Sequence, residues 1–179
     1  MSKTKKNDSV KSIVVLLSIC LLVAVLLASV NMLTKDIIKN ADEQKQNEAL
    51  RSVVEGAEEF LDVTPEDCDE SIVAVYKETE GRGYAVLLSI KGYDSSNPMS
   101  VAVGFDNEGK ITKCHVISCS GETSGIGTKV SDSTFLSKFD GKSDVADVDT
   151  ISGATISSSA FIDAVDEALR AVELVKEAE

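Results

Sequence analysis

The chain has 179 residues, 43% hydrophobic, 27% charged and 4% aromatic, with a net charge of −12. Once the apolar N-terminal segment is set aside, the remainder is long enough for one core but not two. The acidity excludes nucleic acid and anionic lipid surfaces as partners of the bulk of the chain, because phosphates would be repelled at ordinary salt.

Lys3, Lys5, Lys6 and Lys11 precede an uncharged, mostly apolar run from Ser12 to Leu33. As a helix rising about 1.5 Å per residue, that run reaches roughly 33 Å, enough to cross a bilayer. A cleaved signal peptide has a shorter apolar core of about 7 to 15 residues and a small-x-small exit, so the uninterrupted run predicts a retained transmembrane helix over 12–33. Leu17-Ser18-Ile19-Cys20 resembles a lipoprotein processing site, but Ile19 stands where a small residue is required, and Cys20 reads as a membrane-buried thiol. The basic residues lie on one side only, which places 1–11 in the cytoplasm and everything after Leu33 outside it. Residues 1–11 carry +3, so the chain's −12 leaves −15 on residues 12–179.

A stalk or linker is expected over 34–67. From Lys35 to about Glu59 the positions of Ile37, Ile38, Ala41, Ala49, Leu50, Val53 and Val54 keep a helical spacing. The heptads are too few for a long coiled coil, so this apolar face is expected to meet a partner or the domain. Thr64-Pro65-Glu66-Asp67 either ends the segment or opens a short helix.

The exported domain is expected over 68–179. Ser71–Glu78 alternates around Ile72, Ala74 and Tyr76, turns at Glu80-Gly81-Arg82-Gly83 and returns over 84–92, the pattern of a hairpin. Met99–Phe105 and Lys110–Ser118, joined through Asp106-Asn107-Glu108-Gly109, make a second. Gly92–Pro98 reads as a loop, and so does the glycine-rich segment 121–130. A short helix is expected over 131–139, capped by Ser131 or Asp132, then a strand over 144–151 and a last helix from about 157 to 178. Phe161, Val165, Ala168, Leu169, Val172 and Val175 form that helix's core stripe. These elements describe an α+β domain with a mainly antiparallel sheet and flanking helices.

Two stretches carry candidate chemistry. In Asp149-Thr150-Ile151-Ser152-Gly153-Ala154-Thr155-Ile156-Ser157-Ser158-Ser159, Thr155 is expected in the first turn of the last helix, where unpaired N–H groups and about half a positive charge suit a phosphate. Gly153 lets an anion approach the backbone, while Ser152, Ser157 and Ser158 supply donors. The same residues also serve as an ordinary helix cap. In the glycine-rich segment, backbone N–H groups around Gly125 and Gly127 can face a flat ring or a hydroxylated chain, and Glu122 can accept hydrogen bonds. The equally available reading is a plain loop. Cys68, Cys114 and Cys119 form no Cys-x-x-Cys, and the single His115 lies in a predicted strand, so no metal site is expected. Cys114 and Cys119 are poor partners for each other, whereas a disulfide involving Cys68 stays open.

Ser152-Gly153-Ala154-Thr155 with its hydroxyl-rich turn resembles the flavinylation motif of the FMN-binding domain family, found in the G subunit of the Rnf electron-transport complex and the C subunit of the Na+-translocating NADH:quinone oxidoreductase. A second match is carried by Asp106, Gly109, Lys110, Ile111, Glu122, Thr123, Gly125 and Gly127, with Phe135, Phe139, Gly141 and Lys142 following in order. Ser124 stands where the family usually has Pro, and Ser120 where it has His. The resemblance implies FMN joined to Thr155 by a phosphoester, with Glu122, Thr123 and the Gly125–Gly127 backbone against the flavin. It also implies other membrane subunits as partners, electron transfer between ferredoxin and NAD coupled to Na+ or proton movement, and a separate Mg-dependent transferase that attaches FMN from FAD. The rivals are the corresponding component of the quinone reductase, a membrane-anchored binding or assembly module without flavin, and a stand-alone extracytoplasmic flavoprotein reductase, for which no acid–base set is evident.

Overall fold

The structure is a computed structural model that describes residues 3–178, with side chains described from residue 11 onward. It divides into two units, residues 1–44 and 45–179.

The first unit is helical throughout its described length. Helix α1 spans Lys3–Val53, and it is the one described helix long and apolar enough to cross a membrane. From Ile13 to Leu33 its large apolar side chains are exposed, Leu33 at 75%. In water such a surface would be strongly unfavourable, whereas hydrocarbon satisfies it, and the helix pairs its own backbone groups as a bilayer requires.

The second unit is built on an antiparallel meander of five strands in sequence order: β1 (Phe60–Asp62), β2 (Ile72–Glu78), β3 (Tyr84–Ile90), β4 (Met99–Phe105) and β5 (Ile111–Ser118). The two expected hairpins are β2–β3 and β4–β5, and β3 pairs β4 along its whole length, from Tyr84 with Phe105 to Ile90 with Met99. Their turns are specified locally. Glu78, 1% exposed, accepts the N–H groups of Glu80 and Arg82 on one carboxylate oxygen, and Asp106 does the same for Glu108 and Lys110.

Each face of the sheet has its own core. On one lie Val75, Val86, Leu88, Val101, Val103 and Cys114 beneath the final helix α3 (Thr155–Ala178), which contributes Phe161, Val165, Ala168 and Val172. Phe135, Phe139 and Phe161 meet there with centroids 5.4 to 5.5 Å apart, in edge-on and tilted contacts favoured by aromatic quadrupoles. On the other face, Ala85, Leu87 and Ala102 pack against Ala49, Leu50, Val53 and Val54 at the end of α1.

The compact unit begins at Lys45: the last turns of α1 cover a sheet face and β1 extends the sheet's edge. Two expectations need correction. Helix α1 stops at Val53, short of Glu59, and Gly56 at φ +77° turns the chain away. No strand forms over 144–151. Val145 and Val148 both reach the core because a turn with Val148 N–H on the Val145 carbonyl (3.0 Å) brings residues three apart to one side. The glycine-rich segment ends in a 3-10 turn, Gly127–Ser131, followed by a short helix α2, Ser133–Leu136.

Candidate functional site

Helix α3 begins at Thr155, two residues earlier than the expected start. The reason lies in the turn before it. Ala154 N–H donates to the Ile151 carbonyl at 2.9 Å, and Gly153 sits third in this turn at φ +83°, a conformation that disfavours any side chain. Ser158 fastens the turn from inside the helix: its hydroxyl donates to the Ala154 carbonyl at 2.8 Å and accepts Ile151 N–H at 3.0 Å. The result holds Thr155 exposed at the first helical position, where the leading N–H groups lack partners within the helix.

Beside it lies an open cleft of about 470 Å³ lined by Gly153, Ala154, Thr155, Ile156 and Ser157 from the start of α3, Thr123, Ile126 and Gly127 from the glycine-rich loop, and Tyr93. Tyr93, Ile126 and Ile156 are 66%, 48% and 60% exposed, giving the cleft an apolar rim around a polar helix start. Nothing lies within 4 Å of a Cβ built on Gly153, so the backbone is open to an approaching anion.

The expected site residues divide into two groups. Thr155, Ser152, Gly153, Thr123 and Gly125 are exposed, and Thr155, Gly153, Thr123 and Gly127 line the cleft together. Ser152 lies on the far side of the turn, in a second cleft with Lys129 and Lys138. Ser157, Ser158 and Glu122 are buried. Ser158 is spent on the turn rather than offered to a ligand. Glu122 accepts Tyr93 N–H at 3.0 Å on Oε1 and the Ser157 hydroxyl on Oε2, so both its oxygens are engaged within the protein.

The glycine-rich loop holds its shape without the family's proline. Thr128 N–H and Ile126 N–H both donate to the Thr123 carbonyl, and Gly125 N–H donates to Thr128 Oγ1 at 2.9 Å, with Gly125 at φ +72°. Ser120, in place of the family's His, meets the Asn97 amide at 3.3 Å.

Sequence reasoning left out Tyr93, Ile126 and Ile156. Their signal was available: an aromatic and an isoleucine in segments of glycine, serine and asparagine, and an isoleucine off the α3 stripe. His115 is half-buried in β5 and lines a cleft with Lys45, Glu48 and Ser52, away from Thr155. The described cysteines are all free, and no group of His, Cys, Asp and Glu able to hold a metal occurs among the described residues.

Residues 92–170 match the family model described as FMN-binding domain. Over 184 aligned residues the chain is 28% identical to the G subunit of the proton-translocating ferredoxin:NAD(+) oxidoreductase complex of Clostridium ljungdahlii, covering 96% of each chain. It is 29% identical to the G subunit of the ion-translocating oxidoreductase complex of Methanosarcina acetivorans, covering 94% of this chain and 96% of that one. The residues from the Tyr93 loop through Thr155 and into α3 therefore match the FMN-binding domain model, within a chain that is similar to the G subunits of these two complexes over nearly its whole length.

Proposed function

We propose that the protein is the FMN-carrying, electron-transferring subunit of a membrane ion-translocating ferredoxin:NAD oxidoreductase of the Rnf type, with FMN joined to Thr155 by a phosphoester. One observation carries the reading: inside the segment that matches the FMN-binding family, a threonine hydroxyl stands exposed at the first residue of a 24-residue helix and opens on an apolar-rimmed cleft.

The residues fit the group. Thr155 Oγ1 offers the attachment point, the leading N–H groups of α3 and the open backbone at Gly153 suit phosphate oxygens, and Tyr93, Ile126 and Ile156 give apolar surface for a conjugated ring. When bound, FMN supplies uptake and release of electrons singly or in pairs. Thr155 acts as a tether and takes no part in that exchange. Thr155 Oγ1 would be the point at which a flavin transferase attaches the FMN phosphate, and the open backbone at Gly153 would leave room for it. The Ser12–Leu33 segment anchors the chain, and its one-sided lysines put the FMN domain outside the cytoplasm, where a tether prevents loss of a cofactor made inside.

The test is intact mass of the full chain, extracted from membranes of cells that hold a working flavin transferase. The expected result is a mass increase of one FMN phosphoryl adduct, absent in Thr155→Ala. An adduct that survives Thr155→Ala overturns the tether, and unmodified wild type favours the binding-module reading. Co-purified membrane subunits identify the complex.

A further inference from the structure

One carboxylate joins the three walls of the cleft. Glu122, 6% exposed, sits at the head of the glycine-rich loop; its Oε1 takes the backbone N–H of Tyr93 and its Oε2 the hydroxyl of Ser157, two residues past Thr155. Two glycines make room for it. A Cβ on Gly92 would strike Glu122 Oε1, and one on Gly127 would come within 2.6 Å of Oε2 and 2.9 Å of Ser157 Oγ. Glu122, Gly92 and Gly127 thus form one built unit, which fixes the loop carrying Tyr93, itself 66% exposed, to the first turn of α3.

We infer that Glu122 is a positioning residue, whose two hydrogen bonds set where the Tyr93 ring stands relative to the Thr155 hydroxyl and so fix the width of the cleft for a planar conjugated ring tethered at Thr155. The ring's identity as a flavin rests on the proposed function; the clamp itself does not. A backbone N–H bonded to a buried carboxylate is protected from solvent, and removing the acceptor frees the Tyr93 loop. Gln keeps the length, one oxygen for Tyr93 N–H and a polar group for Ser157, so it should restore what Ala loses.

The experiment uses the full chain in detergent, as wild type, Glu122→Ala, Glu122→Gln and Ser157→Ala, each checked for a cooperative melt. Amide hydrogen exchange at Tyr93 is read on protein made without flavin transferase. It should quicken about tenfold or more in Glu122→Ala, as expected for loss of a bond to a charged group, and return toward wild type in Glu122→Gln. On transferase-loaded protein, visible circular dichroism of the flavin should weaken in Glu122→Ala and Ser157→Ala while intact mass still shows the adduct. Unchanged Tyr93 exchange in a folded Glu122→Ala, or loaded Ala variants with the wild-type flavin spectrum, overturns the clamp. Wild type that acquires no adduct overturns the proposed function alone, and the exchange measurement on unloaded protein still decides the clamp.

Discussion

At the scale of the residue, small polar side chains do most of the positioning. Thr128 Oγ1 supplies the acceptor for Gly125 N–H in a loop where the family's proline is absent. Thr128→Val leaves an exposed N–H that water can satisfy, so global stability should fall by only about 0.5–1 kcal/mol. The change should be local: amides of Gly125 and Ile126 exchange faster while the thermal midpoint barely moves. His115 gives a pH signature of its own. Burial, then the nearby Lys113, lowers its pKa from the ordinary 6.5, so the folded protein favours the neutral ring. Above pH 6.5 the ring is neutral in both states and stability is full; as pH falls through 6.5 the unfolded chain takes the proton first and stability declines, levelling off below the folded value. Glu48 and Lys45 line the same cleft. His115→Gln should flatten the slope of thermal midpoint against pH just below 6.5, and a slope unchanged by the substitution would place its origin elsewhere.

At the scale of the element, the docking of α1 on the sheet depends on a close approach. A Cβ at Gly104 on β4 would strike the Val53 carbonyl, and that carbonyl accepts the Thr112 hydroxyl of β5 at 2.7 Å. Gly104→Ala should therefore push the helix end off the sheet and cost roughly 1–3 kcal/mol as an overpacked contact. Thr112→Val, which removes only the donor, should cost about 1 kcal/mol in the same urea titration. A Gly104→Ala variant as stable as wild type would mean that the helix end yields freely. The hairpins were legible because short apolar runs were separated by glycine-containing turns. The 144–151 segment was misread as a strand although its large apolar residues, Val145, Val148 and Ile151, stand three apart, the spacing of the turn that brings both valines inward. The burial of Ser157 and Ser158 was legible in principle: the α3 stripe through Phe161 and Val165, carried back one turn at helical spacing, passes through both serines and leaves Thr155 and Ile156 outside it. Reading all nearby hydroxyls as ligands overlooked this rotation. The inward turn of Glu122 had no such signal, since it depends on Gly92 and Gly127 meeting from distant parts of the chain.

At the scale of the whole molecule, the question is where the independently folding part begins. The compact unit starts at Lys45, and α1 gives Ala49, Leu50, Val53 and Val54 to a core that Ala85, Leu87 and Ala102 complete from the sheet. A fragment of residues 45–179 keeps both cores and lacks the apolar Ser12–Leu33 surface. It should be soluble without detergent and melt in one cooperative step. A fragment of residues 68–179, cut at the boundary that sequence pattern alone favours, loses those four side chains together with β1. It bares one face of the sheet, with Leu87 at its centre, and leaves β2 as an unpaired edge, a surface prone to association. Burial of a large aliphatic side chain contributes about 1.5–3 kcal/mol, so losing Leu50, Val53 and Val54 removes a large share of a domain stability that is itself only about 5–15 kcal/mol. The shorter fragment should be aggregated or melt far below the longer one, as read by calorimetry and size-exclusion chromatography. Equal melting of the two would mean that the end of α1 rests on the sheet without stabilising it, and that the domain begins where its first hairpin does.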